Sequence, residues 1–148
     1  MKKSLHSSVF AFIAAFFFTL SAHAQDSWTP VETSGFGNSF DETVKHMIPF
    51  KGQIYAGVGN SSGKVYRSAT GNAGSWTNVF ADTNTTSVNA MAVSNDGAGY
   101  IYMYSSTFGV KNVYSSTNGD TWAPYFTASN DILEIVPFKG TGAVDSIY

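Results

Sequence analysis

Residue types that carry most enzyme chemistry are scarce in this sequence. Residues 25–148 contain one histidine, His46, and one arginine, Arg67, and the whole chain contains no cysteine. For these residues, a metal site of several histidines, a relay of two histidines and a reactive thiol are excluded. We interpret His46 as a packed or solvated strand residue and Arg67 as an exposed strand charge. No metal site, no cofactor and no catalytic residue is predicted.

Two short segments look like ligand loops but lack the required pattern. Residues 57–64 read GVGNSSGK, with Val58 where a phosphate-binding P-loop has its first glycine and with Val65 directly after Lys64. No helical pattern follows to present backbone N–H groups to a phosphate. The segment Asn95-Asp96-Gly97 has no further acidic residues of the kind a calcium loop needs. We therefore predict a hairpin loop and a turn at these two places.

Polar loop residues give a broader signal. Carboxylates, amides and one aromatic residue lie just before or between apolar segments: Asp41, Glu42, Asn84, Phe108, Asn130 and Asp131. This mixture is typical of sites that bind polar ligands such as carbohydrates. The alternative is that these residues are only solvated turn residues. Which of the two holds depends on the elements that position them.

The first 24 residues have the pattern of an export signal. Lys2 and Lys3 are followed by a mostly apolar run from Val9 to Leu20, which is too short to span a bilayer, and by Ala22-His23-Ala24. We predict cleavage before Gln25 and a secreted or periplasmic protein. Because there is no cysteine, core packing and not disulfide bonds must stabilise the fold.

The predicted mature chain, residues 25–148, is mildly acidic and rich in aromatic residues. It has six basic and ten acidic side chains, together with all eight tyrosines and all three tryptophans. This charge does not favour binding to nucleic acid or to an anionic membrane. Low charge with many aromatic residues is typical of packed β-sheets.

A repeat dominates the mature sequence. Ile48-Pro49-Phe50-Lys51-Gly52 recurs 88 positions later as Val136-Pro137-Phe138-Lys139-Gly140, and the tryptophans Trp28, Trp76 and Trp122 are spaced by 48 and 46. A period in the forties built from strand-like segments predicts four-stranded β units such as the blades of a β-propeller. The fold class is therefore predicted as all-β.

Each unit is predicted to contain strands a, b, c and d, with strand c at 64–68 and 111–116 and with strand d beginning at each tryptophan. Strand a starts at Val44, Val88 and Ile132, at intervals of 44, and is apolar at its first, fourth and fifth places. The predicted units are a d strand at about 28–31, one blade at 43–80, a second at 87–126, and the start of a further blade at 132–148. The residues predicted to be buried are Val44, Met47, Ile48, Val88, Met91, Ala92, Ile132, Ile135 and Val136. Trp76 and Trp122 are predicted to pack on a neighbouring unit.

The turn before the last tryptophan carries a family resemblance. Ser116-Thr117-Asn118-Gly119-Asp120-Thr121-Trp122 resembles the Asp-box of the bacterial neuraminidase repeats, with Asn118 where the family has Asp and with a loop shorter by one residue. The earlier copy, from Ser68 to Trp76, keeps Ser, Gly and Trp. The resemblance implies a sialidase-like propeller, in which Ser116, Asn118, Gly119, Thr121 and Trp122 form a structural turn. It does not carry over sialidase activity, because that activity needs three arginines.

Three functions remain open. The first is a non-catalytic propeller module that binds a ligand, such as a carbohydrate, or another protein. The second is a fragment of a sialidase-like or other glycan-processing enzyme whose catalytic residues lie outside this chain. The third is a sugar-binding lectin whose chains oligomerise into a ring. Two and a half blades cannot close a ring, so we expect further blades or further copies, and we favour a fragment.

The predicted ligand site lies where the d–a and b–c loops converge. Strand a of a propeller lines the central channel, and the register places Thr43, Ser87 and Asp131 at equivalent positions at the start of this strand. The six loop residues named above lie beside these positions. They are the binding residues that the sequence predicts.

Overall fold

The computed structural model describes residues 35–37, 43–59, 63–82, 84–94, 99–106, 109–138 and 146–147. These residues form β-strands and their connections, with a single 3-10 turn at Gly35–Gly37. The predicted export signal and the predicted d strand at 28–31 lie outside the described residues. In the described part of the chain, no helix is long and apolar enough to cross a membrane.

Eight strands form one curled antiparallel sheet, which has the shape of a half-barrel. They are β1 (Thr43–Phe50), β2 (Gln53–Gly59), β3 (Lys64–Ser68), β4 (Thr77–Ala81), β5 (Ser87–Val93), β6 (Ile101–Ser106), β7 (Lys111–Ser116) and β8 (Ala123–Thr127). Two further short strands, β9 (Pro137–Phe138) and β10 (Ser146–Ile147), pair with each other. The prediction of an all-β, antiparallel protein is confirmed.

The pairing divides the sheet into two meanders of four strands. In the first meander β1, β2, β3 and β4 pair in chain order, and in the second meander β5, β6, β7 and β8 do the same. The pairing between β2 and β5 joins the meanders through one residue pair, Gly59 with Ser87. Because β1 and β5 are not sheet neighbours, side-chain packing and not a continuous ladder holds most of this junction.

The two meanders share the same irregularities. A β-bulge leaves Lys45 unpaired between Val44 and His46, and another leaves Asn89 unpaired between Val88 and Ala90. A bulge inserts one residue, so that residues three positions apart lie on the same face of the sheet. This explains why the sequence is apolar at the first and fourth places of strand a.

A large apolar core lies between the meanders. Phe50, Tyr55 and Val65 of the first meander pack against residues on one face of the second. That face supplies Val88, Met91, Ile101, Met103 and Tyr114. The opposite face of the second meander, with Ala90, Ala92, Tyr102, Tyr104 and Val113, packs on Ile135 and on the partly buried Ile132. The second meander is therefore covered on one face by the preceding meander and on the other by the segment that follows it.

The predicted core is confirmed in part and wrong in part. Val88, Met91, Ala92 and Ile135 are buried, and Ile48 and Ile132 are partly buried against the core. Val44, Met47 and Val136 are exposed, at 43%, 55% and 50%. The reason is geometric. Val44 and Met47 occupy the positions of Val88 and Met91, whose partners lie on a preceding meander, and no described meander precedes β1.

The third repeat departs from its predicted strand. Residues 132–136 pack on the second meander but have no strand pairing, and β9 begins only at Pro137. A segment that contributes side chains to the core still needs a neighbouring backbone to complete a ladder. The only partner of β9 in the described residues is the two-residue strand β10.

Candidate functional site

The connections between strands converge at one end of the sheet. We call this end the loop end: it contains the β2–β3, β4–β5 and β6–β7 connections and the segment after β8. The N–H of Gly63 donates to the carbonyl of Thr85 at 2.7 Å, and the N–H of Ala128 donates to the carbonyl of Lys111 at 2.7 Å. These bonds join each b–c loop to the following d–a loop, as the register predicts.

Asp131 is the predicted site residue with the clearest geometry. Its Oδ1 accepts a hydrogen bond from the hydroxyl of Tyr104 at 3.1 Å and lies 3.3 Å from the Nζ of Lys111. Tyr104 is fully buried, and burial raises the pKa of its hydroxyl above the usual value. The Asp131 side chain itself is 70% exposed. The carboxylate is thus held from below by two partners and open to solvent above.

A second polar network crosses from one meander to the other. The hydroxyl of Tyr114 donates to Oδ2 of Asp82 at 3.2 Å, and Nδ2 of Asn112 donates to the Tyr114 oxygen at 3.3 Å. Thr127 completes the chain by donating to Oδ1 of Asn112 at 2.9 Å. Burial raises the pKa of Tyr114, so this hydroxyl stays a donor throughout the neutral range.

The bulged residue of β5 organises a third group. Asn89 accepts from the hydroxyl of Ser87 at 2.7 Å and donates through Nδ2 to Oγ of Ser106 at 2.7 Å. Thr86 adds two bonds to the carbonyl of Ser106, from its N–H at 3.0 Å and from its hydroxyl at 2.9 Å. Because the bulge frees Asn89 from the ladder, its amide can join the loop end of β6 to the start of β5.

The predicted binding residues fall into two sets. Asn84 and Asn130 are exposed, and the N–H of Asn84 donates to Oδ1 of Asp82 at 2.9 Å. Asn84 therefore belongs to the Asp82 network, whereas Asp131 belongs with Tyr104 and Lys111. The other three predicted residues, Asp41, Glu42 and Phe108, lie outside the described residues.

Sequence reasoning missed the partners of these residues. The repeat register by itself favours Tyr104 and Tyr114 as packing residues, and both are buried. Their hydroxyl groups nevertheless reach loop carboxylates. One available signal was the acid that follows strand d, Asp82, and another was the lysine that begins strand c, Lys111.

The opposite end of the sheet contains the two Asp-box-like turns. In the second meander, Oγ of Ser116 accepts from the N–H groups of Asn118 and Gly119, at 3.3 and 2.8 Å. The Oδ1 of Asn118 accepts from the N–H groups of Asp120 and Thr121, both at 2.9 Å. Gly119 has a φ of 78°, in the region that favours glycine. The turn is thus closed by short polar side chains.

The first meander has the same turn with different details. Oγ of Ser68 accepts from the N–H groups of Thr70 and Gly71, at 3.1 and 2.8 Å, and Gly71 has a φ of 76°. No amide stands at the position of Asn118; instead, the hydroxyl of Ser75 lies 2.6 Å from that of Ser68 and donates to the carbonyl of Asn72 at 2.5 Å. Two different sequences therefore build one turn around a buried serine.

The turn of the second meander contacts the first meander closely. Arg67 forms an ion pair with Asp120, which raises the pKa of the guanidinium. The Nζ of Lys51 donates to the carbonyl of Thr117 at 2.7 Å. The interpretation of Arg67 as an exposed strand charge is therefore wrong, because its side chain is only 24% exposed and joins the two meanders.

Trp122 packs on the neighbouring meander as predicted. Its ring lies edge-on to Phe80 of β4, with 6.3 Å between the ring centroids, and Phe80 also contacts Tyr114 at 5.0 Å. Trp76 makes a similar edge-on contact at 5.1 Å, but its partner is Phe36, a residue outside both meanders. The indole N–H groups of both tryptophans are buried without a partner in the described residues.

The loop end can accept and donate hydrogen bonds through side chains of both meanders. In the described residues, its groups include carboxylates, amides, hydroxyls and the ammonium group of Lys111. Within the described ranges, no three His, Asp or Glu side chains lie close enough together to hold a metal ion. Comparison of the chain with protein-family models, curated proteins and solved structures gave no significant match.

Proposed function

We propose that this chain is an exported, non-catalytic repeat module of the β-propeller type that binds a carbohydrate or similar polar ligand at the loop end. The equal registers and equal bulges of the two meanders support the view that each is one blade. Further blades, in the same protein or in other copies, would complete the ring. The Ser-based turns support a place among the Asp-box repeats.

The observation that carries the proposal is the state of Asp131. A carboxylate that is 70% exposed and yet fixed by Tyr104 and Lys111 can accept hydrogen bonds from a ligand without losing much side-chain entropy. The hydroxyl groups of a sugar are suitable donors. Asn84 and Asn130, both exposed, supply further polar groups beside the loops.

Binding of a glycan panel to the full-length protein tests the proposal. Asp131→Ala should weaken the tightest interaction about tenfold or more, since a hydrogen bond to a charged group contributes roughly 1.5–3 kcal/mol. Phe108→Ala should also weaken binding if this predicted aromatic stacks on the sugar. Asp120→Ala is the matched control: it removes the same charge at the opposite end of the sheet.

The control separates two explanations. If Asp131→Ala and Asp120→Ala reduce binding equally, the effect comes from charge or stability and not from a site at the loop end. If the unaltered protein binds a glycan and neither Asp131→Ala nor Phe108→Ala changes that binding, the proposed site is wrong.

A further inference from the structure

A group of three aromatic residues occurs twice in this molecule. Phe80 packs on Tyr114 and Trp122, with centroid distances of 5.0 and 6.3 Å. Phe36 packs on Tyr66 and Trp76, with distances of 4.7 and 5.1 Å. Tyr66 and Tyr114 are equivalent in the two registers, because each pairs with the second residue of the last strand of its meander. In each group, the tyrosine and tryptophan belong to one meander, and the phenylalanine that covers them precedes that meander in the sequence.

A third phenylalanine has the same place in the register. Phe126 pairs with Val113 in the same way as Phe80 pairs with Val65, directly beside the bulge of the last strand. Phe80 is partly buried by the following meander, whereas Phe126 is 38% exposed and its neighbour Tyr125 is 44% exposed. In the described part of the chain, no tyrosine–tryptophan pair lies over Phe126. The surface formed by Tyr125 and Phe126, here called the tail surface, therefore lacks the cover that Phe80 has.

The structure assigns the tail surface as a docking site for residues 28–31 of a second copy of this chain, with Trp28 in the place that Trp122 has on Phe80. Trp28 is the one tryptophan of the repeat outside the described residues, and it precedes Phe36 by eight positions. Phe36 lies against the tyrosine and tryptophan of the first meander. Phe36 thus lies where a preceding unit would lie, and two copies stacked head to tail would allow Trp28 of one to reach Phe126 of the other.

A second copy suits this geometry better than the segment of the same chain. Phe36 packs on the first meander, and Phe126 lies beside Val113 on the face of the second meander that points away from the shared core. Two sheet layers, each roughly 10 Å thick, therefore lie between them. Eight residues span at most about 28 Å when fully extended, and the direct line runs through the packed core. The segment of the same chain would have to go around the core within this length, and a second copy has no such limit.

This inference rests on the repeat assembly proposed above, but its test does not use ligand binding. Because the chain has no native cysteine, single cysteines can be introduced as Thr29→Cys in one copy and Thr127→Cys in another. Mixing the two full-length proteins with a short bismaleimide should give a cross-linked heterodimer. Adding Phe126→Ala to the second copy should lower the yield at least fivefold. Leu133→Ala, which removes an apolar side chain that is 88% exposed, should leave the yield unchanged.

Each remaining outcome contradicts the inference. A third variant carries both Thr29→Cys and Thr127→Cys in one chain. If a cross-link forms only within this chain and not between the single-cysteine copies, the segment of the same chain covers Phe126. A yield that is insensitive to Phe126→Ala, or no cross-link at concentrations up to those at which the protein is soluble, would show that the tail surface does not bind this segment. Circular dichroism of each variant checks that its fold is kept. Glycan binding, measured separately, can succeed or fail independently of this result.

Discussion

At the scale of single residues, Gly119 is constrained by its own backbone and by a neighbour. Its φ is positive, and a Cβ at this position would collide with the hydroxyl and ring of Tyr55. Gly71 holds the equivalent turn position with nearly the same φ, but there a Cβ would meet only Cδ1 of Ile54 at 3.5 Å. A comparison of alanine substitutions at the two glycines therefore separates the cost of backbone strain, which both share, from the cost of steric contact, which only Gly119 has.

We predict that Gly119→Ala destabilises the protein more than Gly71→Ala. Both changes carry the cost of placing alanine at positive φ, about 1 kcal/mol. Gly119→Ala should add roughly 1–3 kcal/mol for overpacking against Tyr55. Urea denaturation followed by circular dichroism measures both. Equal losses in the two variants would show that Tyr55 moves aside at no cost.

Buried tyrosines predict a loss of stability in alkali. Burial is the largest cause that raises the pKa of Tyr55, Tyr104 and Tyr114. A raised pKa means that the folded state holds the proton more tightly, so this contribution is complete below the unfolded pKa of about 10 and is lost as the pH rises through the folded pKa. The free energy of unfolding should therefore fall above pH 10. Tyr55→Phe should make that fall shallower, and an unchanged slope would contradict this assignment.

The chemistry of the site could be predicted from the sequence only at the level of residue types. Asp131 and Asn84 were identified because they precede strand a of a predicted unit. Their fixed partners, Tyr104 and Asp82, could not be paired with them, since a strand pattern does not tell how far a tyrosine hydroxyl extends beyond the core. Arg67 was misinterpreted for the same reason: its partner, Asp120, is 53 residues away.

At the scale of elements, the turn tryptophan should matter most where it reaches the other meander. Trp122→Ala should destabilise the protein by about 3 kcal/mol, the low end for loss of a large aromatic side chain, because the ring is only partly buried. Trp122→Phe should cost less, about 1 kcal/mol, since it also removes an indole N–H that has no partner in the described residues. Thermal unfolding of both variants provides the measurement. If Trp122→Ala melts like the unaltered chain, the tryptophan does not hold the meanders together.

Strand positions were predicted well from the repeat because each strand had two copies to align. Strand c was predicted at 64–68 and 111–116, which are the observed bounds of β3 and β7. Strand d was predicted to begin at each tryptophan and begins one residue later. The turn at Lys51 and Gly52 has positive φ at both residues, which is characteristic of a tight type I′ hairpin.

The predictions failed where an element depends on a neighbour that its own sequence does not contain. An apolar pattern marks the side of a strand that can be buried, but it does not show whether a partner is present. Val44 and Met47 have this pattern and are exposed because no described meander covers that side. Residues 132–136 have the strand pattern as well, and they lack a paired backbone.

At the scale of the whole molecule, we predict that the two meanders unfold together. The core between them contains residues of both, so neither meander can expose its inner face without exposing that of the other. A variant with Trp28→Phe and Trp122→Phe reports on Trp76, and one with Trp28→Phe and Trp76→Phe reports on Trp122. In each variant, the midpoint of the fluorescence transition in urea should equal the midpoint of the transition measured by circular dichroism. If the fluorescence and circular dichroism midpoints of one variant differ, the two meanders are independent folding units.

The single residue pair between Gly59 and Ser87 has a consequence for how such a chain can change in evolution. A ladder across many residues would fix the register between units, and inserting or deleting a segment would disrupt every bond in it. Here the junction consists mostly of apolar side chains that recur with the repeat. Each unit carries one surface for the unit before it and one for the unit after it, so duplication of a whole unit supplies both surfaces of a new junction. Gene duplication could therefore lengthen this protein by complete units without any other change to the residues already present.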